Sequence, residues 1–501
     1  MKKSRLAVIL AALLLLPLPL TACKGGSADT DGTDTAEVVT IPPVTIPEKP
    51  DTRTYTDLTE YEEKLADLLD GIAAAPAADF TYTVAGDGVT VTGYTGGDTL
   101  VVIPDSFDGK HVTAIAEGAF ADKTTIKSIA VPDTVTSIGK GAFRGCKGLT
   151  SLRTPVFTCE DAPYFGALFG AETYEANGYT VPTGLSWLVI TGSLDNTPTA
   201  IPDTAFYACR GLKAISLPDS IYEIGSFAFY DCQSLAYIRI SGLALEAVGR
   251  NAFANCTSLL TLEIPHSVQT LGFAMLEGCA KLESLTLPFV GGCRVGYVPP
   301  EHGSGDEGGD AEIAYADSTY LGYLFGAADY THTKGFIPAS LISVTLTEGC
   351  GDIPANAFFE CSPIREVNFP AGTPEMPRKL TSIGRRAFYG CEGLASVKLP
   401  DTVTSVGDDA FSGCIRLTSF EGGAALSTLG VQVFMDCVSL ATVTLPDTVT
   451  HLPNSCFAGC ISLETLTANG VKTQGRQVFR HCNRLGLPWV NPECVPAETE
   501  G

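Results

Sequence analysis

Basic residues are scarce in this chain of 501 residues: 32 Lys and Arg stand against 56 Asp and Glu, for a formal net charge of −24. So acidic a surface excludes nucleic acid as a partner, because phosphate binding needs clustered Lys and Arg. Histidine is scarce too, with six scattered copies. There is no H-E-x-x-H, no P-loop and no G-x-S-x-G elbow, so zinc hydrolase, nucleotide-binding and serine-elbow chemistry have no local signature. No C-x-x-C occurs, and Cys456-x3-Cys460 lacks the second pair that a metal site needs. Neither metal nor cofactor is expected. Ser137-Ile-Gly-Lys140 matches S-x-x-K, but the same slot reads Ser382-Ile-Gly-Arg385 and Ser405-Val-Gly-Asp408, so it is a repeat position and no nucleophile. Nowhere do 18 apolar residues run together, which excludes a spanning helix. Apolar residues are not themselves short: 45% hydrophobic against 18% charged excludes disorder throughout.

What is present begins with an address. Lys2, Lys3 and Arg5 precede an apolar run from Leu6 to Leu20, the pattern of a secretory signal over 1–22. Without it the formal charge is −24 − 3 = −27. The run ends in Leu20-Thr21-Ala22-Cys23, which resembles a bacterial lipobox; the resemblance implies that the Cys23 thiol carries lipid and that the membrane is touched through this anchor alone. Residues 23–50, rich in Gly, Ser, Asp, Thr and then Pro, have no periodicity and read as a tether reaching roughly 30 Å. In 51–78, Leu58, Tyr61, Leu65, Leu68, Leu69 and Ile72 keep a helical period, with Asp57 and Glu60 placed for a capping box and Gly71 and Pro76 to end it. A short helix packed on the end of the following domain is expected.

A self-comparison dominates the rest. The unit V-T-x-I-G-x-x-A-F-x-x-C-x-x-L-x-x-I-x-L-P recurs on the anchors Phe120, Phe143, Phe206, Phe229, Phe253, Leu276, Phe358, Phe388, Phe411, Phe434, Phe457 and Phe479, most of them 22 to 24 residues apart. L-x-x-I-x-L alternates apolar and polar and is a strand with one buried face. V-T-x-I-G is a second short extended piece, and A-F-x-x-C has room for one helical turn. One unit cannot bury its own apolar side, but stacked units share a core. The fold class is therefore a repeat solenoid with parallel strands stacked one per turn, over 79–490, with 491–501 as a tail. A dozen turns would span roughly 60 Å.

These repeats resemble the BspA-type leucine-rich repeats of bacterial surface proteins, and Phe80–Phe120 is similar to that family's entry turn. The resemblance implies extracellular binding, often adhesion to a protein or glycan.

Two related insertions, 153–184 and 288–340, break the period. Tyr164-Phe-Gly-Ala-Leu-Phe-Gly-Ala171 matches Tyr320-Leu-Gly-Tyr-Leu-Phe-Gly-Ala327 at an offset of 156, and Val181-Pro182 matches Ile337-Pro338. Each block is expected to keep one ladder strand and loop out the remainder. Pro299–Glu312 reads as a flexible acidic loop without EF-hand register. Of 17 cysteines, eleven follow the anchor by three residues: Cys146, Cys209, Cys232, Cys256, Cys279, Cys361, Cys391, Cys414, Cys437, Cys460 and Cys482. Cysteines in register with every turn form a buried ladder whose Cβ vectors do not converge, so free thiols are expected where a secreted chain would ordinarily suggest disulfides.

On the open sheet face the outward positions are mostly Ser and Thr. Arg153, Trp187, Tyr237 and Arg239 are the exception, within four adjacent turns, and aromatics with Arg are the residue types of binding hot spots. They are the candidate ligand site, unless the first insertion folds over Trp187 and buries it. The expected function is a surface lipoprotein, not an enzyme, binding an extracellular protein or glycan. The alternatives are a capture subunit of an envelope complex and, behind that, an enzyme whose site lies in the insertions.

Overall fold

The computed structural model describes residues 55–485 apart from 193, 241, 243, 295–317 and 372–378, together with 495–496. Cys23, the signal and tether, the acidic stretch 299–312 and most of the tail lie outside the described residues. The first element is helix α1 (Thr59–Ala66), and an antiparallel hairpin follows, Phe80–Ala85 with Gly88–Tyr94. The hairpin closes the N-terminal end of the solenoid: Phe80, Tyr94 and Phe107 pack together, and Tyr94 stacks on Phe120 at 5.8 Å to begin the aromatic ladder.

Fourteen parallel strands then follow one another along one face, from Leu100–Val102 to Thr465–Thr467, because each L-x-x-I-x-L segment buries its apolar residues inward and leaves its ladder groups to the next turn. The V-T-x-I segments form a second, narrower ladder, as in Glu223–Ile224 beside Ala247–Val248. Between the two ladders the anchors interlock. The amide of Phe229 donates to the carbonyl of Ala252 at 2.7 Å, and Phe206, Phe229 and Phe253 stack with centroids 5.0 and 5.3 Å apart. Around Phe253, Asn251 and Asn255 are left-handed (φ 53° and 60°), which explains the Asn, Asp and Gly that recur two residues before and after the anchor. The Gly that ends V-T-x-I-G has a different cause. A Cβ at Gly249 would lie 2.4 Å from the amide nitrogen of Ser226, so the close approach of the turn before it favours glycine at this position.

The insertions hold more of the repeat than the sequence pattern reveals. In the first, Phe165–Phe169 forms a short 3-10 helix within the ladder of anchors: Phe143 donates to Leu168 and Phe165 donates to Ala205. The second repeats this, with Leu276 donating to Leu324 and Leu321 to Ala357. Each insertion is thus a complete but lengthened turn, and each keeps one face strand, Trp187–Ile190 or Ser343–Leu346. The buried Asn177 side chain ties the first one, accepting from Gly166 at 2.9 Å and donating to Ala205 at 3.2 Å; Thr333 occupies the same place in the second.

The eleven ladder cysteines are free thiols. Cys232, Cys256, Cys414, Cys437 and Cys460 each donate to the carbonyl of an anchor Phe one turn back, at 3.1–3.2 Å. The thiol thus adds a second donor to a carbonyl that already accepts the backbone amide three residues further on, as Phe206 does from Cys209 and Phe434 from Cys437. Burial raises these thiols, Cys232 and Cys279 to about 12. Unreduced protein should therefore release at least the eleven ladder thiols to a thiol reagent once denatured, and almost none of them while folded at pH 8. Two or fewer in the denatured chain would mean that the ladder is cross-linked.

Candidate functional site

The four outward residues named above lie on neighbouring face strands. Trp187 and Tyr237 share one row, each in register with Ala214 between them. Arg153 pairs with Val189 and Arg239 with Ser216, so the two arginines share the next row. A small side chain between two aromatics makes a notch, and the notch is filled by the chain's own Tyr61. Its ring lies 6.0 Å from Trp187 and 6.2 Å from Tyr237. Lys64, one turn on, sits 4.5 Å above the Trp187 ring, a cation–π contact.

Helix α1 therefore does not pack on the end of the solenoid, where the hairpin already closes the core. It lies across the sheet face, and it, not the first insertion, covers Trp187. The segment leading into it reaches further: Thr56 donates through its amide and hydroxyl to Glu283 at 2.7 and 2.6 Å, and Tyr55 donates to Glu366. Beyond the helix, Ala75 donates to Val102 at the first face strand. Residues 55–75 thus form a strap running back over the face. The helix is short because Asp57 accepts from Thr59 to start it and the chain turns at Asp67–Gly71, with Leu69 at φ 61° and Gly71 at φ 65°.

The arginines differ. Arg153 is half-buried and held by Asp133 at 3.1 Å, which also accepts from Thr191 at 2.7 Å. Arg239 is exposed and lines two open clefts beside α1, of about 360 and 410 Å³, the first shared with Arg153, the second with Glu62, Glu63 and Tyr237. A third cleft of about 570 Å³ lies under Thr56 and Tyr61, with Lys213, Lys281 and Glu283 on its walls. Burial, and then the charges of Glu62 and Glu263, raise the Tyr237 hydroxyl above its ordinary range, so it stays a donor. Sequence reasoning missed Tyr61, Lys64 and Leu65 as members of this site; their helical stripe was visible, but not the surface it seeks.

Among the described residues no group of three His, Cys, Asp or Glu could hold a metal. Among the titratable groups described in the insertions, Glu172 pairs with Lys140, Asp329 with His332 and Lys334 with Glu392, each pair exposed. The helices among the described residues include none long and apolar enough to cross a membrane.

The family pattern described as BspA type leucine rich repeat region matches this chain in six copies, over residues 107–161, 189–290, 332–378 and 372–486. No curated protein matches it. Among solved structures, a leucine-rich repeat protein from Bacteroides ovatus is 21% identical, with 79% of this chain and 99% of that one covered and a TM-score of 0.35. A leucine rich cell surface protein from Faecalibacterium prausnitzii is 21% identical, with coverage of 80% and 96% and a TM-score of 0.31. The pneumococcal vaccine antigen PcpA is 19% identical, with coverage of 81% and 87% and a TM-score of 0.28.

Proposed function

This chain belongs to the BspA-type leucine-rich repeat family, and from that premise we propose that it is a surface lipoprotein, anchored through Cys23, that binds an extracellular protein or glycan on its open sheet face. Leucine-rich repeat solenoids are binding scaffolds, and the family is one of bacterial surface proteins. The observation that carries the reading is the concentration of Trp187, Tyr237, Arg153 and Arg239 on one patch of a face whose other outward positions are mostly small or polar, with open clefts at its margin. Aromatics bury large area at low entropic cost, and Arg donates in a fixed fork.

The test is an array of matrix proteins, mucins, glycans and bacterial envelopes probed with the chain from Asp51 to Gly501. A saturable, salt-resistant hit is expected, and Trp187→Ala should weaken it by about 2 kcal/mol, roughly thirtyfold. A hit that ignores Trp187→Ala removes these residues from the site. No hit at all transfers weight to a role as a subunit of an envelope complex, which crosslinking in the native cell would reveal.

A further inference from the structure

Resting on the reading that the sheet face is the binding surface, we propose that its partner is a protein presenting an acidic amphipathic helix, and that the strap is a built-in competitor occupying the partner's place. The structure holds such a helix on the face already. Tyr61 enters the notch over Ala214 between Trp187 and Tyr237, and Leu65, at i+4, is the one α1 residue that is fully buried. Aromatic and aliphatic anchors at i and i+4 are how an amphipathic helix is read by a groove.

Charge fits the same occupant. In a chain of net charge −24, this part of the face gathers Arg153, Lys213, Arg239 and Lys281 against Glu283 and Asp219 on the same clefts, with Arg153 held by Asp133 and the others left to face the helix. The helix above them carries Glu60, Glu62 and Glu63, and the Glu60 carboxyl is lowered by Lys64 first and also by Lys213. Opposite signs across an interface steer encounter and fix register.

The strap is also built to leave. Its other polar ties, from Tyr55 and Thr56, are made by exposed groups. Clefts of hundreds of Å³ remain beneath and beside it, whereas the solenoid interior is closely packed. The left-handed residues Leu69 and Gly71 form a joint, and Ala75 is fixed to Val102 beyond it. Rotation at that joint would clear the face and leave every solenoid turn intact.

Three probes test this on the chain from Asp51 to Gly501: a labelled peptide of residues 51–72, the same peptide with Tyr61→Ala and Leu65→Ala, and an unrelated acidic helical peptide with Tyr and Leu at i and i+4. The receptors are the wild-type chain, its Y61A/L65A variant, and a Y55F/T56V variant that loosens the strap's far end only. Trp489→Phe in all three leaves Trp187 as the one tryptophan, so its emission reports on the notch. A closed strap lowers apparent affinity by the fraction of chains that are open. The first and third peptides should bind both loosened variants at least about tenfold more tightly than wild type, and should restore the Trp187 emission that loosening shifts to the red. The doubly substituted peptide should bind none. Equal binding to wild type and both variants, equal binding by the substituted peptide, or no binding anywhere overturns the proposal. Glycans that move the Trp187 emission where the peptides do not would overturn it as well, while leaving the sheet face as the binding surface. Peptide exchange combined with an array ligand indifferent to Trp187→Ala would do the reverse.

Discussion

Raising the pH from 8 to 10 in the presence of a reductant is expected to unfold the solenoid cooperatively, without any added denaturant. Nine ladder thiols, Cys209, Cys232, Cys256, Cys279, Cys361, Cys391, Cys414, Cys437 and Cys460, are shut from solvent, and burial raises all of them. In the unfolded chain each would ionise near the ordinary value of 9.0. A group whose folded pKa is raised contributes stability that is complete below the unfolded pKa and is lost as pH climbs toward the folded one. The window therefore opens at about pH 9 and extends toward 12, where Cys232 and Cys279 themselves ionise. Each enclosed thiol forfeits about 0.4 kcal/mol at pH 9 and about 1.4 kcal/mol at pH 10. The eight besides Cys414 together forfeit about 3 and then about 11 kcal/mol, comparable with the whole stability of an ordinary domain. Circular dichroism along a pH series checks this, and the paired substitution Cys256→Ala and Cys437→Ala should move the midpoint upward. A chain that keeps its fold at pH 11 would refute the argument.

The ladder also shows why so much of this molecule is legible in its sequence. A solenoid repeats one local problem, so each position of the unit is solved many times in the same way: Phe packs on Phe, Cys donates to the carbonyl one turn back, and Gly admits the neighbouring backbone. The period therefore states register directly, and the strands found at Trp187–Ile190 and Ser343–Leu346 lie where the pattern puts them. Departures from the period are less legible. Phe169 meets Phe143 on one side and Phe165 meets Phe206 on the other inside a segment that reads as a loop, because the insertion divides one anchor's role between two residues and stretches the spacing around them. The candidate site was half legible. Trp187 and Tyr237 stand out against Ser and Thr on a face whose outward positions can be counted. Tyr61 does not, since a helical stripe specifies an apolar partner without specifying which. Its partner was decided at the other end of the molecule, where the hairpin had already sealed the core and left the aromatic notch as the apolar surface within reach.

Repetition also determines where damage spreads, and Phe229→Ala is the sharpest case. Phe229 is fully buried between two parallel rings, tilted by 0° to Phe206 and 6° to Phe253. Truncation removes both stacking contacts and leaves a cavity that the rigid ladders on either side cannot close, so a cost of about 3–5 kcal/mol is expected. Because turns communicate only with their neighbours, the loss falls on the coupling between the two halves of the array. Thermal unfolding should therefore split into two transitions as well as shift downward. Phe229→Leu should cost less than about 1.5 kcal/mol, because Leu276 already serves as an anchor in this chain and keeps its amide bonded to the next turn. Phe479→Ala provides the contrast. That ring is only partly buried and stacks on Phe457 at 5.8 Å near the C-terminal end of the described array, so its loss frays one turn and leaves the main transition single. If the interior and terminal substitutions lower stability equally, with one transition each, the chain folds as a single cooperative block and nearest-neighbour coupling is the wrong description of it.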